Sequence, residues 1–489
     1  MPSPHARRRL RLLASALALL VAPRIAVAQP LPPDPVPPPP AEVAGVEPVA
    51  GTEPAPAKPP PGKPGADGTP LNDYWRNGLR FESRDKEFSL FVGGRVQVDE
   101  VQYLTSRAVR GAVPGTSPLE DGVSFRRVRL DVGGTIYKNI EFYTQVDFAN
   151  GFLATPGSNR LTNATYPTDM WVTFRDLPVV GNLRVGNQKP LYSFEHLTSS
   201  RFLNFLERSP GFDAFAEGFN NGFEPGITLS DTYAEKRGTW GVGVFKTTRS
   251  PFGWNVGRGE VEVNGRVTYL PVYEDGGRQL IHVGVGGADR GLDDGQARFR
   301  ARFDARNSPS SFSPTTADTG LFFGTHQQIL VPELVAVNGP LSFQAEGYAS
   351  WVEGAAPAAA DGTPGPARGT AFLWSAYAEV HYFLTGEHRE YNRDAGTFTR
   401  VVPKSPLDWT RAGFTGWGAW QLAARYSYLD LNSLGINGGR VHDVTAGVNW
   451  FLNPNTKVQF NYFVSARRGF APPADNLIHG FATRLAIDF

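Results

Sequence analysis

Apolar and polar side chains alternate along most of the chain from about residue 87 onward. In the last stretch, one face of a strand would hold a mostly apolar set: Phe481, Thr483, Leu485, Ile487 and Phe489. The other face would hold Ala482, Arg484, Ala486 and Asp488. Alternation with a period of two predicts β-strands, and an apolar face opposite a charged face is typical of a strand between lipid and a wet lumen.

The same alternation predicts seventeen strands. Their approximate ranges are 88–99, 127–136, 140–148, 168–176, 181–190, 222–232, 238–247, 260–273, 278–288, 296–305, 328–338, 341–353, 371–385, 416–431, 441–453, 456–466 and 479–489. A barrel made by a single bacterial chain has an even number of strands. Strands can be counted from either end of the chain to assign each turn to one side of the membrane. The two counts disagree only around residues 290–328. We therefore expect that 296–305 does not span and that the barrel has about 16 strands.

The hydrogen-bonding requirement of the backbone predicts that these strands form a closed barrel. In lipid, every N–H and C=O group needs a protein partner, so a membrane sheet closes on itself. Eight strands fill their own interior, whereas about 16 leave a water channel. Alternation alone also fits a soluble β-sandwich or propeller. The very aromatic outward faces and the export signal described next favour an all-β fold, a transmembrane antiparallel β-barrel.

The first 28 residues have the features of an export signal. Basic residues precede the apolar run 12–22, which is too short to span a bilayer as a permanent helix. The small residues Ala26-Val-Ala28 predict cleavage after Ala28. An uncleaved anchor is the alternative, which the short run and Arg24 disfavour.

The organisation predicted for the mature chain has three parts. Residues 29–70 are rich in Pro and lack aromatics, which predicts a disordered periplasmic segment. The alternative for 29–70 is a spacer that contacts the cell wall or a partner. Residues 71–86 would be a short lead-in, and 87–489 would be the barrel domain.

Composition excludes several other classes of protein. The chain has 48 Lys plus Arg against 47 Asp plus Glu, and this balance argues against a nucleic-acid partner. Cysteine is absent, so disulfides and thiolate metal sites are excluded. The eight His residues show no metal-ligand spacing, and we expect no metal and no cofactor.

Several motifs resemble, in their order along the chain, the phosphate-selective porin O and P family between about residues 87 and 489. The most specific are Phe383-Leu-Thr-Gly-Glu-His-Arg-Glu-Tyr391 and Gly396-Thr-Phe-Thr-Arg-Val-Val-Pro403. Supporting motifs include Gly94-Arg-Val-Gln-Val-Asp99, Phe125-Arg-Arg-Val-Arg129, Leu197-Thr-Ser-Ser-Arg201 and Gly447-Val-Asn-Trp450. The strand that ends in Phe489 also resembles the closing strand of bacterial outer-membrane barrels.

The resemblance implies an outer-membrane channel, usually a homotrimer, that passes anions such as phosphate or polyphosphate. Its partners would be small anions or other hydrophilic solutes and outer-membrane lipid. The family often has a coiled coil before the barrel, where this chain has the Pro-rich segment. Residues 218–224 also depart from the family at a place where a basic residue is common.

Strand parity predicts which basic side chains face the lumen. Arginine suits phosphate because its guanidinium is planar and permanently charged. The candidates for pore lining and anion contact are Arg95, Arg127, Arg129, Arg184, Arg298, Arg300, Arg302, Arg425, Lys457 and Arg484. Arg298, Arg300 and Arg302 share one face of 296–305 and are the best candidates for an anion ladder. The alternative for each cation is an ion pair with a lumen carboxylate.

Residues 191–221 are too long for a plain turn and predict an inward-folded constriction loop. A short helix would begin near Thr198 or Ser199 and cover Leu197 to Leu206. Candidate residues for the constriction are Glu195, Arg201, Glu207 and Arg208. The loop has two basic and four acidic residues, so a general or sugar-permeable pore without phosphate selectivity stays open as an alternative.

An enzyme and a structural tether are two further classes of function for an outer-membrane barrel. An outer-membrane enzyme needs a nucleophile, a His and a carboxylate at the rim, and no motif selects such a set. We therefore expect a channel and not an enzyme. A structural envelope tether would use 29–70 to hold the cell wall, with the barrel as its anchor.

Overall fold

The computed structural model describes residues 71–111, 119–154, 161–216, 222–247, 261–307, 314–410, 413–469 and 476–489. The predicted export signal and Pro-rich segment lie outside these ranges. The strands are β1 (Leu71–Trp75), β2 (Leu79–Ser83), β3 (Ser89–Tyr103), β4 (Gly122–Ile136), β5 (Ile140–Ala154), β6 (Leu161–Leu177), β7 (Gly181–Gln188), β8 (Glu224–Tyr233), β9 (Gly238–Lys246), β10 (Val261–Glu274), β11 (Gln279–Gly291), β12 (Gln296–Ala297), β13 (Arg300–Arg302), β14 (Thr315–Asp318), β15 (Phe322–Phe323), β16 (His326–Asn338), β17 (Leu341–Val352), β18 (Ala356–Pro357), β19 (Ala371–Phe383), β20 (Tyr391–Asn392), β21 (Thr397–Phe398), β22 (Asp408–Thr410), β23 (Gly413–Thr415), β24 (Ala419–Ser433), β25 (Ile436–Asn453), β26 (Thr456–Arg468) and β27 (Leu477–Asp488).

Helical segments are short and lie in the connections. They are α1 (Arg107–Gly111), α2 (Phe194–Leu197), a π-helical turn at Phe212–Ala216, and 3-10 turns at Asp275–Gly277 and Asp293–Gly295. None of the helices in the described ranges is long and apolar enough to cross a membrane.

Sixteen antiparallel strands close into a barrel, which confirms the expected number. They are β3 to β11, β16, β17, β19 and β24 to β27. Closure occurs where β27 pairs with β3, with Arg484 opposite Asp99. Residues 296–305 do not span, as expected, because β12 and β13 pair only with β15 and β14 in a long connection. The β1–β2 hairpin joins the edge of β3 before the barrel proper.

The turns at the two ends of the barrel differ in length. Short connections at one end are 137–139, 178–180, 234–237, 275–278, 339–340 and 454–455. Longer connections, including 104–121, 189–223, 292–325 and 353–370, lie at the other end. Outer-membrane barrels have short periplasmic turns and long extracellular loops, so the short-turn end is periplasmic. Two connections are exceptions: 384–418 is long and lies at the periplasmic end, and 434–435 is short and lies at the extracellular end.

Burial alternates along the barrel strands as the sequence pattern predicts. In β25, Asp443 and Thr445 are buried while Val444 and Ala446 are exposed. Side chains with polar groups therefore point into the lumen and apolar ones point to lipid.

Val444→Arg should destabilise the barrel by about 2–4 kcal/mol, because Val444 lies at the centre of β25 on its outer face. Unfolding in lipid vesicles with guanidinium would measure the change. Asn437→Arg, at the extracellular end of the same strand, is the matched control and should cost about 0–1 kcal/mol. Equal costs at the two positions would contradict the assignment of Val444 to lipid.

Candidate solute pathway

The connection between β7 and β8 enters the barrel over its described residues 189–216, as predicted for 191–221. Ser193 caps α2, because its Oγ accepts a hydrogen bond from the His196 N–H at 3.1 Å. The Glu346 carboxylate of β17 accepts from the backbone N–H groups of Phe194 and Glu195 at 2.8 and 2.9 Å. These acceptors place the helix at Phe194–Leu197, so the helix expected over 197–206 is wrong.

The loop contacts the inner wall of the barrel formed by β24, β26 and β27. Lys457 donates to the Leu203 carbonyl at 2.8 Å, and Arg425 donates to the Glu207 carbonyl at 3.0 Å. Arg484 donates to the Leu206 carbonyl at 2.5 Å. These three cations were candidates for anion contact. Instead they hold the backbone of the loop, and they do not line the large cavity described below.

Two of these arginines also form buried ion pairs. Nε and Nη2 of Arg484 donate to the two carboxylate oxygens of Asp99 at 2.6 Å, and Nη2 also donates to Glu207 at 3.0 Å. Arg425 donates to Asp304 at 3.0 Å. Arg425 and Arg484 therefore form ion pairs with lumen carboxylates, which was the alternative to contact with a transported anion.

The anion ladder expected at 296–305 is not formed. Arg298 is half exposed and pairs with Asp318 at 2.6 Å, while Arg302 is buried against Asp213 of the inward loop. Arg300 is exposed. The ladder required one continuous strand, and the break between β12 and β13 sends the three side chains to different surroundings.

A cavity of about 730 Å³ remains between the loop and the wall formed by β3 to β10. Seven of the predicted site residues line it: Arg95, Arg127, Arg129, Arg184, Arg201, Glu207 and Arg208. Arg201 pairs with Asp131, and Glu207 pairs with Arg126 at 2.7 Å. Parity in β3, β4 and β7 predicted an inward side for Arg95, Arg127, Arg129 and Arg184, and all four line this cavity.

The cavity lining is rich in positive charge. It contains eleven Lys and Arg residues against six Asp and Glu. Arg95 donates to Ser200 Oγ at 2.6 Å, Arg127 to Gln97 at 2.8 Å and Arg184 to Thr173 at 2.8 Å. In the described ranges, none of these three forms an ion pair with a carboxylate. Their charges are thus available to a solute.

Arg126 also lines the cavity, although parity with Arg127 would have placed it in lipid. A β-bulge in β4 is the cause, because Gln97 pairs with Arg127 while Val98 pairs with Phe125. Arg126 is the extra residue, and both arginines are buried on the inner side. The sequence did contain a signal for this bulge. Strict alternation would place one of two adjacent arginines in lipid, where an arginine is costly.

Further cavity-lining cations were missed in the sequence, namely Arg175, Lys189, Lys236 and Arg266. Arg266 shares the inner face of β10 with Glu262 and Asn264, so alternation was sufficient to find it. Lys189 donates to the His196 carbonyl at 2.6 Å, and burial lowers its pKa.

The periplasmic connection 384–418 folds back into the barrel. Arg266 donates to the Gly396 carbonyl at 2.8 Å, and the Tyr391 hydroxyl hydrogen-bonds His282 at 2.7 Å. The β20–β21 hairpin thereby forms part of the cavity wall through Asn392, Asp394 and Thr397. This hairpin runs from the end of the motif 383–391 into the motif 396–403, and the sequence did not reveal its position in the lumen.

Glu195 should make stability depend on pH. Burial raises the pKa of Glu195 to about 7 from 4.5, while its carboxylate accepts hydrogen bonds from Ser209 N–H and Oγ at 2.9 and 2.7 Å. The folded state therefore binds this proton more tightly than the unfolded state does. Stability from this group is highest below about pH 4.5 and falls by about 1–3 kcal/mol as pH rises to about 7.

Unfolding free energies measured from pH 4.5 to 8 would test this expectation. Glu195→Gln should make the fall in stability over that range smaller by the share that Glu195 contributes. An unchanged pH dependence in Glu195→Gln would assign the effect to another group.

In the described ranges, no three His, Cys, Asp or Glu residues are arranged to hold a metal ion.

A closed barrel of 16 antiparallel strands, apolar outside and polar around an inner cavity, defines an outer-membrane porin. The chain belongs to the phosphate-selective porin O and P family, whose family model matches residues 92–489. The family and the fold are those of channels and not of enzymes.

The sequence identity to each of the following relatives is below 30%. Porin O of Pseudomonas aeruginosa is 26% identical over 455 residues, covering 86% of this chain and 93% of the relative. An uncharacterised protein of Caulobacter vibrioides is 29% identical over 462 residues, covering 90% of this chain and 81% of the relative. Among solved structures, the anion-selective porin from Comamonas acidovorans is 13% identical with a TM-score of 0.48, covering 82% of this chain and 100% of that one.

Proposed function

We propose that this porin passes small anions, phosphate among them, through the cavity between the inward loop and β3 to β10. The observation that supports this most is the charge of the lining, eleven basic against six acidic residues. Within the part of the chain that the structure describes, the side-chain partners of Arg95, Arg127 and Arg184 are the neutral Ser200, Gln97 and Thr173. Cationic side chains in a pore replace part of the hydration that an anion loses on entry. Membership of the phosphate-selective porin O and P family supports the same solute class.

Planar-bilayer recordings would test the proposal. In a KCl gradient, the reversal potential should show a higher permeability for chloride than for potassium. Added phosphate should lower the chloride current, because phosphate competes for the same guanidinium groups. A cation-selective reversal potential, or the absence of steady channels, would refute the proposal.

A general diffusion pore is the second candidate. It is favoured by the neutral polar residues that also line the cavity, among them Gln145, Thr173, Gln188 and Thr228. In this case chloride would be preferred weakly, phosphate would leave the current unchanged, and neutral sugars would permeate in a liposome-swelling assay.

We also propose that the protein is a homotrimer, as the family resemblance implies. Light scattering of the purified protein, corrected for detergent, should give three times the mass of one chain. A monomer mass would exclude the trimer.

For the amino-terminal region, we propose cleavage after Ala28 and a periplasmic location of 29–70. The intact mass of the protein from outer membranes would locate the cleavage. Deletion of 29–70 should leave conductance unchanged, whereas envelope defects in the deletion strain would support the tether hypothesis.

A further inference from the structure

A second, much smaller cavity lies at the periplasmic end of the barrel, near the closure between β27 and β3. Its volume is about 20 Å³. Ala486 of β27 lines it and lies between Lys457 of β26 and Gln97 of β3 in the strand register. Residues 399–401 of the periplasmic connection and Phe202 of the inward loop complete the lining. The short side chain of Ala486 therefore leaves space that its longer neighbours do not fill.

The lining of the small cavity is mostly basic. Five cations accompany one carboxylate: Arg95, Arg201, Arg389, Arg400 and Lys457 with Asp488. Arg201 and Arg400 both pair with Asp488, so this carboxylate is already shared. Arg389 and Lys457 form no ion pair in the described ranges, and neither lines the large cavity. Two cations of the small cavity thus lack a counter-charge from the described residues.

Arg389 is buried, and most of its donors meet no protein acceptor. Its side chain is 1% exposed. Nη2 donates to the Phe202 carbonyl at 2.8 Å, whereas Nε and Nη1 have no partner among the described residues. The centroid of the Phe398 ring lies 4.3 Å from Cζ of Arg389. Because the ring covers one face of the guanidinium, an acceptor for Nε and Nη1 has to approach its edge.

Glu379 does not supply the missing counter-charge. It lines a neighbouring cavity of about 10 Å³ together with Arg389, but its carboxylate contacts His381 at 3.2 Å and accepts from Asn204 at 3.4 Å. No ion pair joins Glu379 to Arg389 in the described ranges. Burial lowers the pKa of Arg389 from 12.5 to about 10, and Glu379 opposes this shift. Arg389 therefore remains charged at neutral pH.

Lys457 brings a second buried charge to the same cavity. Its residue is 5% exposed, and Nζ donates to the Leu203 carbonyl at 2.8 Å. An ammonium group has three N–H donors, so two remain for another acceptor. A buried charge is costly unless it is paired, and two like charges that line one cavity add to that cost. An anion in the cavity would offset it.

We propose that the small cavity binds one resident chloride ion through Arg389 and Lys457. The volume selects the kind of anion. One water needs roughly 10–15 Å³ by this measure, so the cavity accepts a particle of about that size. Chloride is only slightly larger than water, whereas phosphate has four oxygen atoms and is too large. The resident ion does not depend on which solute crosses the large cavity, since neither Arg389 nor Lys457 lines that cavity.

Anomalous diffraction would locate the ion. Crystals grown with sodium bromide in place of sodium chloride should give an anomalous peak within hydrogen-bonding distance of Arg389 and Lys457. Arg389→Gln should lose this peak, because it removes one of the two charges that hold the ion. Ala486→Leu should lose it as well, since the longer side chain fills the cavity and leaves every charge of the lining in place. The matched control, Arg393→Gln, removes an arginine of the same connection outside the lining and should keep the peak.

Chloride should also stabilise the folded barrel. Urea unfolding in lipid vesicles would measure this effect at constant ionic strength, with gluconate replacing chloride, because urea adds no halide. A site filled only in the folded state lowers the unfolding constant about tenfold for each tenfold rise in chloride above the dissociation constant. The slope of log unfolding constant against log chloride should therefore become shallower by about one in Arg389→Gln. Arg393→Gln should keep the slope of the parent protein.

The outcomes separate the resident ion from the transported one. Bromide peaks in the large cavity alone, a water without anomalous signal beside Arg389, or a parent slope in Arg389→Gln would refute the resident chloride. The proposed anion preference would survive each of these results. If Arg389→Gln does not fold, the peak and the slope of Ala486→Leu decide in the same way. A cation-selective reversal potential would instead refute the proposed function and leave the resident chloride standing.

Discussion

Arg484→Ala should destabilise the folded barrel by about 3–5 kcal/mol, because it leaves buried carboxylates without their partner. Arg484 is 0% exposed and so is Asp99, which receives two hydrogen bonds from it at 2.6 Å. Glu207 would also lose one of its cations, and the Leu206 carbonyl would lose a donor. Guanidinium unfolding in lipid vesicles would measure the loss.

The control for Arg484→Ala is Arg440→Ala. Arg440 pairs with Asp430 at 2.8 Å, but its side chain is 53% exposed, so its loss should cost at most about 1 kcal/mol. Arg484→Met combined with Asp99→Asn should recover part of the stability, because it removes the uncompensated charge. If Arg484→Ala cost no more than Arg440→Ala, water entering the lumen would be supporting Asp99, and the guanidinium would not be essential to the fold.

Loss of Arg484 should also change the channel itself. The loop 189–223 would keep its contacts with Lys457 and Arg425 but lose the one at Leu206. We expect larger current fluctuations in single-channel recordings, since a less restrained loop changes the width of the pathway. A quiet channel with the parent conductance would show that the remaining contacts suffice.

Arg95→Glu with Arg127→Glu should abolish the anion preference. Each substitution changes the charge of the lining by two units, and together they remove four of an excess of five positive charges. Two charges about 4 Å apart interact by about 1 kcal/mol in water, so the anion-to-cation permeability ratio should fall at least about tenfold. Reversal potentials in a KCl gradient would measure the ratio.

The matched control reverses two arginines outside the cavity. Arg298→Glu with Arg300→Glu makes the same change of charge in the long extracellular connection. It should leave the permeability ratio near that of the parent protein. If the control lowered the ratio as much as the cavity variant, the anion route would pass along 296–305 as the sequence first suggested. Arg95→Gln with Arg127→Gln, a milder change, should give an intermediate ratio.

The amino-acid sequence by itself determined the strands, their number and their faces. A period of two is a local property, and lipid on one side with water on the other imposes it on every strand. It therefore placed Arg95, Arg127 and Arg184 on the inner side without knowledge of any partner. The exclusion of 296–305 from the barrel also needed only the parity of strands and turns.

Only the tertiary structure decided what each inner cation does. Arg484 and Arg95 have the same parity, but Arg484 meets Leu206 and Glu207, which lie 278 and 277 positions away, whereas Arg95 lines the cavity. Those contacts depend on loops that cross the lumen, and a crossing loop leaves no periodic signal in the strands it touches. Arg126 adds a second case, since one extra residue in β4 reverses its face. Alternation predicts whether a side chain faces the lumen or the lipid. The residues that contact it in the lumen belong to distant parts of the chain, so alternation does not predict them.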